Sequence, residues 1–338
     1  MPPAEVNLHN LVCTEGAIST LRTEFDLRCE VWEENQEITG ELTYNSMLFA
    51  QQTGDRLKAY YTSALSSIVE KENSLVKEVS LTNLQGTPTS MAVWHGDAKT
   101  YFRKPLHSLF ETQVKCSPDA TALIEDKLAS RTISYSDLNN QANLVGRYLQ
   151  HYGVQKGQTI GISMQRSIEQ VVCLLAIIKA GCAYVPIEPG APKERVEFIL
   201  KDAMVGVTFT DQADNNLPDS AQVINIQDQW QNISKQPASN IDVTVNSNEL
   251  FQVIYTSGST GFPKGIRNAH KGAVNCIDWL QNTYPFAEQE VCCHKTSIAF
   301  VDSVMEIFAP LVYGKPLVLI TDEVVRDSVA FIHALEAH

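Results

Sequence analysis

The residues best equipped for chemistry crowd into one stretch, Tyr255-Thr256-Ser257-Gly258-Ser259-Thr260-Gly261-Phe262-Pro263-Lys264-Gly265. Glycines let backbone N–H groups approach an anion closely. Ser and Thr hydroxyls donate to phosphate oxygens, and lysine adds a compact positive charge. The stretch suits the gripping of a polyphosphate. It is not a Walker A loop, because Pro263 stands where that loop needs glycine and Lys264 is followed by Gly265 instead of Ser or Thr. It does not match a dinucleotide fingerprint either. A second candidate is Asp302, in Phe300-Val301-Asp302-Ser303, where a helical pattern with Val304, Ile307, Phe308 and Leu311 on its apolar side begins. An acid there is favoured by the helix dipole, so Asp302 can be an ordinary cap or a binding carboxylate.

The elements that must hold these groups follow from periodicity. Leu250 to Ile254 reads as a buried strand leading into the glycine stretch, and a helical pattern runs from His270 to Asn282. His294 to Phe300 reads as a strand leading to Asp302. Upstream, Thr159–Met164, Ala183–Ile187 and Val205–Phe209 read as strands, alternating with helices over Ile168–Ala180 and Pro192–Asp202. That alternation signals a largely parallel α/β sheet. Ser134 and Asp137 have capping-box spacing for a helix ending near Gly153, and Gly181 closes the Ile168 helix. Residues 211–247 read as polar surface excursions, and 324–338 as one helix with Val325, Val329, Ile332 and Leu335 in register.

The N-terminal part has its own pattern. Phe25–Glu33 and Ile38–Tyr44 alternate apolar and polar residues about a short polar turn, as a hairpin does. A helix follows from Gly54, with Leu57, Tyr60, Tyr61, Ala64, Leu65 and Ile68 at helical spacing. Residues 85–104 carry Gly86, Pro88, Gly96 and charges, the content of a linker.

Composition narrows the class. The chain has 338 residues, 44% hydrophobic and 19% charged, which fits a globular protein of two or three domains. Its 26 basic and 39 acidic residues give a net charge of −13, which argues against nucleic acid as a partner. The longest apolar run, 171–178, is too short to span a bilayer, and the N-terminus lacks signal-peptide character, so no membrane partner and a cytoplasmic location are expected. Eight cysteines occur with no C-x-x-C pair. Cys292-Cys293-His294 is a poor metal site, since neighbours on a strand point to opposite faces.

The glycine stretch resembles, at nearly every position, the phosphate loop of the superfamily of acyl-CoA synthetases, luciferases and nonribosomal peptide synthetase adenylation domains. Residues 106–126 resemble the opening of such an adenylation domain, residues 133–138 its first core motif, and Ile177 to Pro192 its second, which reads as scaffold. The resemblance implies an α/β fold: an incomplete N-terminal domain of an adenylate-forming enzyme, with layered, largely parallel sheets and helices. It implies an ATP-dependent ligase that joins a carboxylate to AMP and passes the acyl group to the phosphopantetheine thiol of a carrier domain. ATP and Mg2+ are the implied cofactors, with Thr256, Ser257, Gly258, Ser259, Thr260, Gly261 and Lys264 on the phosphates. Phe300-Val301-Asp302-Ser303 resembles the fourth core motif, Phe-Asp-x-Ser, with the acid moved one place along. A one-residue shift swings a side chain by about 100° on a helix, so a substrate with its amine one carbon further from the carboxylate is implied. Val301, Asp302 and Met305, with Phe300 as a wall, resemble the pocket of domains that activate β-alanine.

Residues 25–65 resemble the C-terminal end of a peptide synthetase condensation domain, although the His-His-x-x-x-Asp-Gly motif does not occur. The expected division is 1–86 condensation remnant of α+β type, 87–105 linker and 106–338 N-terminal part of an AMP-binding adenylation domain. Partners implied are an amino acid and the carrier and condensation domains of the same synthetase. The adenine motif, the ribose-binding aspartate and the catalytic lysine are expected beyond His338, so the chain reads as a fragment that does not turn over by itself. Two other readings stand beside this one: a stand-alone acyl-CoA-type ligase, and a binding or scaffold protein built on a decayed synthetase.

Overall fold

The computed structural model describes residues 25–34, 37–70, 104–125, 130–212, 217–256 and 263–338. The chain divides into two units, 1–97 and 98–338. In the first, β1 (Leu27–Glu34) and β2 (Glu37–Tyr44) form an antiparallel hairpin in which Leu27 faces Tyr44 and Val31 faces Gly40. The helix α1 runs Gln51–Glu70, three residues earlier than Gly54, where the sequence pattern places its start. Gly54 is buried under the ring of Tyr44, which a Cβ at that position would strike. Among the described residues of this unit most apolar side chains are exposed, Ile38, Ile68 and Val69 among them.

The second unit holds two sheets. Its elements are α2 (Leu106–Cys116), β3 (Thr121–Glu125), β4 (Arg131–Ser134), α3 (Tyr135–His151), β5 (Thr159–Ser163), α4 (Ile168–Lys179) and β6 (Ala183–Pro186). After them come α5 (Lys193–Asp202), β7 (Val205–Thr210), β8 (Val223–Asn225), α6 (Trp230–Ile233), β9 (Leu250–Thr256), β10 (Lys264–Ala269) and α7 (His270–Thr283). The chain ends with β11 (Cys292–His294), α8 (Asp302–Val312), β12 (Leu317–Leu319), α9 (Asp322–Arg326) and α10 (Ser328–Ala337). The larger sheet has the order β10-β9-β6-β5-β7-β8, parallel throughout except for the edge strand β10. The smaller has the order β11-β12-β3-β4, parallel except for β4.

Helix α4 is enclosed in the core. Leu174, Leu175, Ile177 and Ile178 are wholly buried on it, so it is apolar all round, as a helix enclosed by other elements must be. Ser167 caps its first turn by accepting from Gln170 N, and Gly181, at φ 73°, turns the chain out of it into β6. The Ser134–Asp137 capping box on α3 forms as its spacing implies: Ser134 Oγ accepts from Asp137 N at 3.0 Å and donates to the Asp137 carboxylate at 2.8 Å.

Four sequence expectations need correction. The glycine stretch leads into β10 before α7, so the loop closes a hairpin instead of feeding a helix directly. Residues 211–247 include β8 and α6, whose Ile224 and Ile233 are buried; the polar run hides these short apolar anchors. The strand expected over 294–300 stops at His294, because the following backbone is tied to a side chain on α8. The terminal helix breaks at Asp327, whose carboxylate accepts from Val329 N and Ala330 N and so starts a second helix. On that second helix Val329, Ile332 and Leu335 are exposed, while Ala334 is buried.

Candidate functional site

The two strands that bracket the glycine stretch fix where it lies. Lys264 pairs with Thr256 and Gly265 with Tyr255 on the antiparallel β9–β10 ladder. The Tyr255 ring covers Gly265, whose absent Cβ would sit 3.0 Å from Tyr255 Cζ, so this glycine serves close packing. Tyr255 Oη donates to the Asp202 carboxylate at 2.6 Å, anchoring the strand end to α5. Burial and the Asp202 charge push the phenol well up, keeping it a donor. Thr256 and Lys264 are both exposed. Ser257, Gly258, Ser259, Thr260 and Gly261 lie outside the described residues. Because β9 runs parallel to β6, its last residue, Thr256, lies at the carboxyl end of the parallel strands. In open α/β sheets that end is where ligands bind.

The second candidate cluster lies at the start of α8. Val301 is the cap position, with Asp302 in the first turn and no side-chain capping bond. Asp302 is exposed and forms no hydrogen bond or ion pair among the described residues. Phe300 is 58% exposed, so it is not a core aromatic. Val301 and Met305 line a groove of ≈ 440 Å³ together with Phe251, Gln252, Arg267 and Lys271. Gln252 is wholly buried; its Oε1 accepts from Asn268 Nδ2 at 3.0 Å, and its Nε2 has no partner among the described residues. The structure thus joins two of the four expected pocket residues in one groove. Phe300 and Asp302 lie outside its lining.

A polar network behind that segment escaped the sequence reading. Glu306, one turn into α8, accepts from Lys295 N at 3.0 Å, Thr296 N at 2.9 Å and Thr296 Oγ1 at 2.6 Å. His294 Nδ1 lies 2.9 Å from the same carboxylate. Burial works to raise the Glu306 carboxyl, but the bonds from His294, Thr296 and the two amides outweigh it and hold the group at about 2. Burial keeps His294 low, against the pull of Glu306, so the pair is a carboxylate facing a neutral imidazole. Nearby, Arg166 is nearly buried, donates to Ile320 O and, at 2.6 Å, to Lys295 O, and pairs with Asp322 at 3.0 Å. His294, Arg166 and Gln170 line a cavity of ≈ 40 Å³ reached by the carboxyl ends of β5, β6, β11 and β12. The signal for this network was Glu306 itself, an acid set among Val304, Met305, Ile307 and Phe308.

Among the described residues no group of three or more His, Cys, Asp or Glu could hold a metal ion. No helix among them is long and apolar enough to cross a membrane.

The model of the family described as AMP-binding enzyme matches residues 110–338. The chain belongs to that family. Tyrocidine synthase 3 of Brevibacillus parabrevis is 33% identical over 327 residues, covering 96% of this chain and 5% of the relative. The chain therefore spans about a twentieth of that protein's length. Among solved structures it is similar to the N-terminal subdomain of Klebsiella oxytoca NpsA in complex with 3-hydroxyanthranilyl-AMSN. That likeness has a TM-score of 0.58 and 26% identity, and covers 64% of this chain and 54% of the other. It is also similar to NpsA-ThdA, an artificially fused adenylation–PCP di-domain from the same organism. There the TM-score is 0.60 at 26% identity, over 66% of this chain and 44% of that one. The layered, mostly parallel sheets described above are thus the fold of an AMP-binding N-terminal domain.

Proposed function

We propose that this AMP-binding chain is the part of a nonribosomal peptide synthetase that activates an amino acid with ATP. A substrate carboxylate oxygen attacks the α-phosphorus, the bond to the β-phosphate bridging oxygen breaks, and pyrophosphate leaves. The acyl-adenylate is then consumed by the thiol of a phosphopantetheinyl carrier, releasing AMP. The residues from Thr256 to Gly261, with Lys264, hold the triphosphate as charge moves on to the leaving pyrophosphate. The observation that carries this reading is the site of the turn. The two ends of the hydroxyl- and glycine-rich stretch, Thr256 and the exposed Lys264, pair at the carboxyl end of a parallel sheet. NpsA-ThdA, a fused adenylation–PCP protein, supports the carrier as partner.

The substrate we infer is a β-amino acid, β-alanine first. Val301 and Met305 give the groove an apolar wall, and Asp302 offers an exposed carboxylate one residue past the usual place. Residues 1–86 are proposed as the end of a condensation domain, because the likeness to tyrocidine synthase 3 covers 96% of the chain while the AMP-binding model begins at residue 110. The exposed apolar side chains of β1, β2 and α1 fit a surface that a larger domain covers.

The test is amino-acid-dependent pyrophosphate exchange by the synthetase that contains this chain. Exchange with β-alanine, abolished by Asp302→Ala, is the expected result. Exchange unaffected by that substitution removes Asp302 from the pocket. Formation of a free CoA thioester instead of a carrier-bound acyl group would favour a stand-alone ligase.

A further inference from the structure

The segment 295–301 joins β11 to α8 and carries two of the residues proposed above for the acyl pocket, Phe300 and Val301. It has almost no ladder bonding of its own, since β11 ends at His294. One carboxylate takes the amides of its first residues. Glu306 takes the amides of Lys295 and Thr296, the Thr296 hydroxyl and the ring N–H of His294, all within 3.0 Å. A side chain on α8 therefore grips the strand-to-helix connection from the helix end. The same helix bears Asp302 and Met305.

The chemistry of the grip is that of a fixed anion. Bonds to an ionised acceptor are shorter and about twice as strong as neutral ones. Burial of Glu306 is incomplete, with 20% of its side chain exposed, but its His294 partner is wholly enclosed. The Arg166 guanidinium donates to the carbonyl of Lys295, the residue whose amide Glu306 takes. Lys295 is therefore held from both its N–H and its C=O.

We propose that Glu306 is a positioning residue for substrate selection: its carboxylate fixes segment 295–301 and so sets the placement of Val301 and Asp302. This rests on the reading of Val301, Asp302 and Met305 as an acyl pocket. Glu306 touches no reacting atom, and its effect passes through the backbone it holds. An amide in its place keeps one acceptor for the two backbone N–H groups but loses the charge and the acceptor for the Thr296 hydroxyl.

The experiment uses the synthetase that contains this chain, with Glu306→Ala, Glu306→Gln and Thr296→Val. Amide hydrogen exchange across 292–305 is read beside calorimetric titration with ATP and with non-hydrolysable β-alanyl and L-alanyl adenylate mimics. Expected for Glu306→Ala is faster exchange at residues 295 and 296. With it should come a loss of about tenfold or more in affinity for the preferred mimic, with ATP affinity unchanged. Glu306→Gln should recover part of that affinity, and Thr296→Val should show a smaller change in the same direction. Equal weakening toward ATP and mimic would make Glu306 part of the general scaffold and overturn the proposal. So would wild-type affinity in Glu306→Ala. If the wild-type chain binds neither mimic, the pocket reading falls first and the positioning role falls with it.

Discussion

Lys264 stands directly across the β9–β10 ladder from Thr256, so the two ends of the glycine-rich turn are locked in register. That pairing sets Thr256 and Lys264 side by side at the carboxyl end of the parallel strands, and both are exposed. Because Lys264 is exposed and forms no ion pair among the described residues, Lys264→Ala should leave the melting temperature almost unchanged. A surface substitution of this kind costs within about 0.5 kcal/mol. ATP affinity, measured by calorimetry, should drop about tenfold or more, the worth of a charge-assisted bond. Unchanged affinity would remove Lys264 from the phosphates.

Val301 and Asp302 are both exposed at the start of α8, so exchanging them should be tolerated by the fold. The double variant Val301→Asp/Asp302→Val returns the acid to the family's usual place. Pyrophosphate exchange dependent on β-alanine should fall, and exchange with an α-amino acid should appear. A panel of amino acids assayed in parallel checks this, and an unaltered preference would place specificity elsewhere.

Lys179 is 1% exposed at the end of α4, paired with Glu111 and bonded to Asn139 Oδ1 at 3.0 Å. Burial pulls its ammonium down while Glu111 holds it up. Glu111→Ala strands a buried cation and should cost about 3 kcal/mol in urea unfolding. Lys179→Met with Glu111→Leu should cost less than that single change, since no charge is left without a partner. The reverse order would show that the pair itself is strongly stabilising.

His107 and His270 give the fold an acid limit. Burial, then His270 and Lys179, drives His107 to about 3; burial takes His270 to about 4 against the pull of Glu249. Both are neutral when folded, whereas an unfolded histidine takes a proton near pH 6.5. The unfolded chain therefore binds more protons below that pH, and stability falls as pH drops from about 6.5 toward 3, by up to about 1.4 kcal/mol per pH unit for each histidine. Glu306, held at about 2, adds to the loss below about 4.5, where its unfolded counterpart protonates. Unfolding free energies measured from pH 7 to 4 should decline, and His107→Gln should flatten the slope. A pH-independent stability would contradict the burial of these rings.

Much of the AMP-binding domain was legible because its signals are local. The capping box at Ser134 and Asp137, the apolar run of α4 and the strand–helix alternation each declare themselves within a few residues. The edge strand β10 did not, because Lys264-Gly265-Ile266-Arg267-Asn268-Ala269 is polar and half exposed, and only pairing with β9 makes it a strand. β8 was hidden for the opposite reason: three residues suffice once β7 offers a ladder.

The sequence by itself determined which chemical groups are present: a hydroxyl- and glycine-rich stretch with its lysine, and an acid at position 302. Spacing along the chain carries that information, since local motifs need only neighbours. The tertiary structure alone decided that the turn closes a hairpin, that Val301 and Met305 share a groove with Gln252, and that Glu306 grips the amides of Lys295 and Thr296. Those are contacts between separate elements, fixed by strand order and helix packing, and no periodicity in the sequence encodes them.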